Sequence, residues 1–205
     1  TRGASGEIGV TLGDLPAEKW DELIAVGRTA AAGTAAAESD AREAAELLKA
    51  KVAELNDKVQ AVRTIGQARF KAGHPATAAQ FAAIPARAYA PEAVIARAVK
   101  ADAAWGNTSS PATWEPLPGF LRANFQALMA EAQAGIKDAA EKKNAARLAK
   151  AELQATAKRL HDASIAWYAE ACGAFPANTP EGAMVRGIPG PRRAGKPAKA
   201  AEEKA

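Results

Sequence analysis

No proline interrupts the chain between Pro16 and Pro75. A proline inside an α-helix costs about 3 kcal/mol, so its absence from so long an alanine-dominated stretch points to one continuous helix. Start signals converge at "GDLPAEKW": Asp14 as N-cap, Pro16 in the first turn where a missing N–H is harmless, and Glu18 near the positive end of the dipole. "KAGHP" supplies the stop, with Gly73 as a left-handed residue and Pro75 beyond it. The first helix is therefore predicted over 14–72, on the order of 80 Å long. The same signals at "EPLPGF" and "EACGAFP" predict a second over 118–172, ended by Gly173 and Pro176.

Between the two, residues 73–117 carry seven Pro or Gly positions and two short helical candidates, "PATAAQFAA" and "PEAVIARAVKADAAW", followed by the loop "GNTSSPATWEP". Seven of the eleven aromatics, Phe70, Phe81, Tyr89, Trp105, Trp114, Phe120 and Phe125, fall at this end of both helices. That density predicts a small helical head with an aromatic core. Val and Ile are too scattered for sheet, so the expected fold class is all-α: a long antiparallel helical hairpin, the head, and irregular termini. Residues 1–13 are expected to be a flexible arm and 173–189 a turn region folding back over the Trp167 end. The final segment, 190–205, reads as a basic disordered tail.

The hairpin carries a coiled-coil-like seam rich in alanine. Ala41, Ala45, Leu48, Val52, Leu55, Val59 and Val62 alternate at spacings of four and three, and the register extends back through Glu38, Thr34, Ala31, Gly27, Ile24 and Trp20. On the second helix the stripe is Ala139, Ala146, Ala149, Leu153, Ala157, Leu160 and Trp167. Alanine buries little area at about 25 cal/mol per Å², so a pair lined by it calls for further partners. A homo-oligomer formed along this seam is the expectation, and with it a structural or scaffolding role.

Charge is concentrated at the end of the chain. From Arg186 onward six basic residues face two acidic ones, which accounts for the whole formal net charge of +4. Arg186, Arg192, Arg193, Lys196 and Lys199 are the candidate contacts for nucleic acid or an acidic partner; binding phosphates without reading sequence is the alternative function.

Catalytic and metal signatures are not found. "GPRRAGKP" begins like a phosphate-binding loop, but Pro197 stands where a Ser or Thr should bind Mg²⁺. His161 and Cys172 lie roughly 16 Å apart along one helix, too far to share a metal. Lys71 and Lys158 occupy the positions where a di-iron bundle would need glutamates three before each histidine. No catalytic residue, cofactor or metal site is expected. No apolar run approaches the ~20 residues of a membrane span, and "TRGASGEIGV" lacks a signal-peptide pattern. The single cysteine leans towards a reducing, cytoplasmic setting.

Residues 153–189, "LQATAKRLHDASIAWYAEACGAFPANTPEGAMVRGIP", are similar to the C-terminal part of a group of uncharacterised alanine-rich helical bacterial proteins. Trp167, Tyr168, Phe175, Thr179, Pro180, Glu181, Gly182, Arg186 and Gly187 carry the resemblance. It implies a bacterial source and no particular chemistry. In physical terms "NTPEGAM" predicts a short helix capped by Thr179 with Pro180 at its first position.

Overall fold

A computed structural model of the chain describes residues 17–188. The predicted arm, the Asp14 cap and the basic tail with Arg192, Arg193, Lys196 and Lys199 lie outside those residues, as does the phosphate-loop-like "GPRRAGKP". The described chain is all-α, with five helices: α1 (Ala17–Phe70), α2 (Pro75–Ala82), α3 (Pro91–Gly106), α4 (Arg122–Ala174) and α5 (Pro180–Gly187). None is long and apolar enough to cross a membrane.

Helix boundaries follow local chemistry more than glycine positions. Gly73 does not take a left-handed conformation. α1 instead ends in an ordinary turn, with His74 N–H bonded to the Phe70 carbonyl at 2.9 Å, and Pro75 opens α2 at once. Gly173 lies inside α4, which continues to Ala174. At the other end of α4, helix does not begin at Pro118, because Gly119 takes φ +70 and turns the chain. Gly119 N–H reaches the Glu115 carboxylate at 3.0 Å, and Leu117 bridges Phe120. Asn124 then accepts the Leu121 N–H at 3.1 Å, the return half of a capping box, and α4 starts at Arg122.

The chain divides into two compact units. The central unit is Ala36–Arg147, and the terminal unit combines the described residues before Ala36 with those after Arg147. In each, α1 and α4 run side by side in opposite directions. The central unit pairs Lys51 with Glu131 at 2.7 Å and Asp40 with Lys142 at 3.6 Å. In the terminal unit the Thr34 hydroxyl lies within 3.1 Å of the Ala149 carbonyl. These ion pairs are largely exposed and contribute up to about 1 kcal/mol each.

The central unit holds most of the core. Val52, Leu55, Val59, Val62 and Phe70 of α1 meet Phe125, Leu128 and Ala132 of α4, with Phe81, Val94, Ala98, Ala101 and Trp105 closing over them. Its aromatic rings form a continuous chain. Phe70 stacks on Phe81 at 5.9 Å, both meet Trp114 edge-on at 5.3 and 5.4 Å, and Trp114 meets Trp105 at 5.2 Å. Each such pair adds about 0.5–1.5 kcal/mol beyond area burial. Tyr89, grouped with these rings by sequence, is absent from the core and 83% exposed. Arg122 ties α4 to α3 through both oxygens of Asp102, at 2.7 and 2.8 Å, which raises the Arg122 pKa.

Gly66 lets this core close. A Cβ there would sit 2.7 Å from atoms of the Phe81 ring. Alanine would add about 1 kcal/mol of helix propensity but force the ring aside at a cost of about 1–3 kcal/mol. The two effects leave a net loss of up to about 2 kcal/mol, so Gly66→Ala is expected to lower the urea midpoint; a raised midpoint would mean that Phe81 repacks freely.

The terminal unit has a smaller core of Trp20, Trp167, Ala171 and Val185. The indole N–H groups of Trp20 and Trp167 are buried with no acceptor among the described residues. α5 closes this cluster. Thr179 caps it by accepting Gly182 N–H at 3.1 Å, and Pro180 occupies the first turn. Gly182 lies against the chain behind it: an added Cβ would come within 1.9 Å of the Pro176 carbonyl oxygen. Arg186 then reaches back to the carbonyls of Phe175 at 3.0 Å and Cys172 at 3.2 Å. Phe175, Thr179, Pro180, Gly182 and Arg186 thus form a small closure built on α4's last turn.

Candidate functional site

Two places merit description: the α1/α4 seam singled out in the sequence, and a pocket beside a buried arginine that sequence reasoning passed over.

The seam places its residues unevenly. Thr34, Val52 and Leu55 are buried; Ala41, Leu48, Ala146, Ala149 and Leu153 are half-buried; Ala31, Ala45 and Ala157 are exposed. Ala44 is buried where the heptad register placed Ala45, Ala30 is half-buried where it placed Ala31, and Thr156 is buried where Ala157 was expected. On α1 the seven-residue repeat itself holds, through Gly27, Thr34, Ala41, Leu48, Leu55 and Val62, all buried or half-buried; at Ala30 and Ala44 the intermediate inward position falls three residues on from Gly27 and Ala41 rather than four. On α4 the alternation itself holds, through Leu153, Thr156 and Leu160, and Ala157 is its neighbour.

In the terminal unit the seam is close and poor in apolar burial. A Cβ on Gly27 would lie 3.1 Å from Leu160. The Thr34 hydroxyl sits 2.8 Å from the Ala30 carbonyl and 3.1 Å from that of Ala149, so its one proton is shared between its own helix and the next. Thr34 and Thr156 are fully inside at 6% and 5% exposure, while Val26 and Leu148 are 51% and 59% exposed. A shallow apolar groove of about 460 Å³ opens beside them, lined by Ala25, Val26, Thr29, Ala30, Gly33, Ala149 and Glu152.

The second place is in the central unit. Arg97 projects from α3 and is 2% exposed. Its Nε donates to the Pro85 carbonyl at 2.5 Å, one Nη1 proton goes to Asn56 Oδ1, and Nη2 donates to Gln60 Oε1 at 2.6 Å and to the Ala86 carbonyl at 2.8 Å. All four acceptors are neutral. Burial lowers the Arg97 pKa, and the like charge of Arg63 lowers it further. A guanidinium nonetheless stays protonated in proteins, so the unit encloses a cation with no carboxylate paired to it. Arg63 itself donates to the Ile84 carbonyl at 2.9 Å, and together the two arginines fasten the connector between α2 and α3 to its neighbours.

Arg97 forms part of the wall of a polar pocket of about 540 Å³, together with Asn56, Asp57, Gln60, Arg87 and Tyr89. An apolar pocket of about 370 Å³ adjoins it, lined by Leu48, Val52, Ala53, Pro91 and Val94 among others. Asn56, Ala88 and Tyr89 belong to the walls of both. One sequence signal for this place was available: Arg97 falls within the buried stripe of α3, beside Val94, Ala98 and Ala101.

The residues weighed for catalysis are scattered. His74 is exposed and meets the Phe70 ring edge-on, and His161 and Cys172 are half-buried on α4. No group of three or more His, Cys, Asp or Glu capable of holding a metal occurs among the described residues. In the loop after α3, Asn107 is exposed and donates to Gln80 at 3.0 Å, whereas Thr108 turns inward and donates to the Trp105 carbonyl at 2.8 Å. Of the five cations assigned to nucleic acid, Arg186 is within the described residues, and its guanidinium is occupied with the carbonyls of Cys172, Phe175 and Gly182.

No protein-family model, no curated protein and no solved structure matches this chain.

Proposed function

We propose that the chain is a non-catalytic structural protein that self-associates through the α1/α4 face of its terminal unit. One observation carries the reading: the fully buried residues along the seam there are the threonines Thr34 and Thr156, while the large apolar side chains Val26 and Leu148 are exposed. Among the described residues of this unit, the fully buried apolar side chains are Trp20, Trp167, Ala171 and Val185, all in the cluster beneath α5. Along the neighbouring stretch of α1 and α4 the buried residues are threonines, while Val26 and Leu148 stand in solvent beside the Ala25–Gly33 groove. A second copy seated on this face buries Val26, Leu148 and the groove lining together, and the small residues allow its backbone to approach closely.

Sedimentation of the protein across a range of concentrations tests the proposal. A discrete oligomer is expected. The double variant Val26→Asp/Leu148→Asp should weaken association by over a hundredfold, since leaving two carboxylates in an apolar contact costs about 3 kcal/mol or more. Helicity should remain unchanged, because both positions are exposed. A monomer at every concentration, or an oligomer indifferent to the double substitution, would remove the reading.

A further inference from the structure

We propose that the paired pockets of the central unit bind an anionic amphiphile, its carboxylate at Arg97 and its apolar body against Leu48, Val52 and Pro91. This goes beyond self-association and uses a different surface. Three observations converge on it.

Arg97 supplies a charge that the fold leaves unanswered. A guanidinium has five N–H donors, and four are engaged. The remaining one, on Nη1, has no acceptor among the described residues. Every acceptor that Arg97 does have is neutral, and the charged group that acts on it is Arg63, of like sign. Taking an uncompensated cation out of water is costly, and an anion in the adjoining pocket offsets that cost.

The lining sets the ligand's charge. Arg87 and Arg97 face Asp57 in the polar pocket, a surplus of one positive unit, which suits a monoanion better than a phosphate dianion. A carboxylate oxygen can accept the one Nη1 proton that Arg97 has left, in a charge-assisted hydrogen bond.

The neighbouring pocket sets the ligand's body. Leu48, Val52, Ala53, Pro91 and Val94 offer an apolar wall, continuous with the polar pocket through Asn56, Ala88 and Tyr89; the charged residue of that wall, Lys49, is paired with Glu46 at 3.5 Å. From Leu48 to Gln60 along α1 the two span about 18 Å, room for an extended aliphatic chain behind its head. Tyr89, 83% exposed, sits where apolar gives way to polar, as expected of a residue with an apolar ring and a polar tip. Nothing in the packing of the core requires an aromatic ring at that position.

Calorimetric titration of the full chain with decanoate, below its micelle-forming concentration, provides the test. Saturable one-site binding is expected, with decanol and acetate each at least tenfold weaker because one lacks the charge and the other the body. Asn56→Asp is the decisive variant. It keeps the acceptor for Arg97 and places a carboxylate where the amide oxygen stands, so helicity and melting temperature should hold while decanoate affinity falls at least tenfold. Ala53→Trp, at an exposed position in the apolar wall, should block binding by filling the pocket; it serves as well if Asn56→Asp unfolds the chain. Val26→Asp/Leu148→Asp should leave decanoate binding intact, separating this site from the self-association face. Decanol binding as tightly as decanoate, full affinity in a folded Asn56→Asp or Ala53→Trp protein, or no binding by the native chain would each overturn the proposal. So would a peptide with a free apolar C-terminal residue binding tightly while decanoate does not, since that outcome makes the occupant a protein chain.

Discussion

Gly182→Ala is expected to release α5 from the terminal unit. A methyl group at that position would stand 1.9 Å from the Pro176 carbonyl oxygen, far inside contact distance, and the opposing atom belongs to the backbone and cannot rotate away. Relief requires α5 to lift from the last turn of α4. With it go the burial of Val185 against Trp20 and Trp167, and the bonds from Arg186 to the carbonyls of Cys172 and Phe175. Burial of a valine side chain alone contributes about 1.5–3 kcal/mol, so a total loss of about 3 kcal/mol is expected. Tryptophan fluorescence should shift to the red as Trp20 and Trp167 meet water, while the central unit keeps its helicity. Native fluorescence in a folded Gly182→Ala protein would mean that the closure tolerates a rearranged turn, and that the role assigned to Gly182 is wrong.

The second large effect is expected in the central unit. Arg97→Met removes the donor that joins Asn56 and Gln60 of α1 to the carbonyls of Pro85 and Ala86. Bonds to a charged donor contribute about 1.5–3 kcal/mol each. The sum overstates the loss, because the buried charge disappears with the side chain and water can reach the exposed Gln60 and Ala86. A net loss of about 2–4 kcal/mol remains. Trypsin should then cut faster after Arg87 in the loosened connector, and Arg97→Lys should recover only part of the native resistance, since an ammonium cannot serve four acceptors in a planar fan. Native stability and native cleavage in Arg97→Met would show that the connector is held by Ile84 and the aromatic core alone.

Much of this fold could be read from the chain because its punctuation is backbone chemistry. Proline at 16, 75, 118 and 176 brackets two stretches in which alanine, lysine and glutamate favour helix, and that reading required no knowledge of packing. Reading glycine as a stop was less successful. Gly73 ends nothing by a left-handed turn and Gly173 is helical, whereas Gly119, Gly66 and Gly182 do special work for reasons set by partners distant in space or by a turn geometry. The seam was legible as a stripe but not to the residue. Ala44 and Ala45 are the same side chain, and spacings of three and of four are both helical, so composition could not decide which of the two faces in. Tyr89 was placed in the core by residue type alone, and the structure leaves it 83% exposed; Arg97 was not singled out, because nothing about one arginine in a charged helix signals that the fold buries it to 2% exposure.

The division into two units also orders events in time. The central unit is one uninterrupted run, Ala36–Arg147, so it can assemble while later residues are still being synthesised. The terminal unit draws Trp20 from an early part of the sequence and Val185 from a late one, and joining them across an unstructured chain would carry the entropy of a long loop. Once Asp40 and Lys142 lie side by side, most of that loop is already closed. Trp20 thus waits on a finished stretch of helix for cover that arrives late in the chain, from Trp167 and Ala171 of α4 and Val185 of α5. Closure of the terminal unit then falls to the seating of eight residues, Pro180–Gly187.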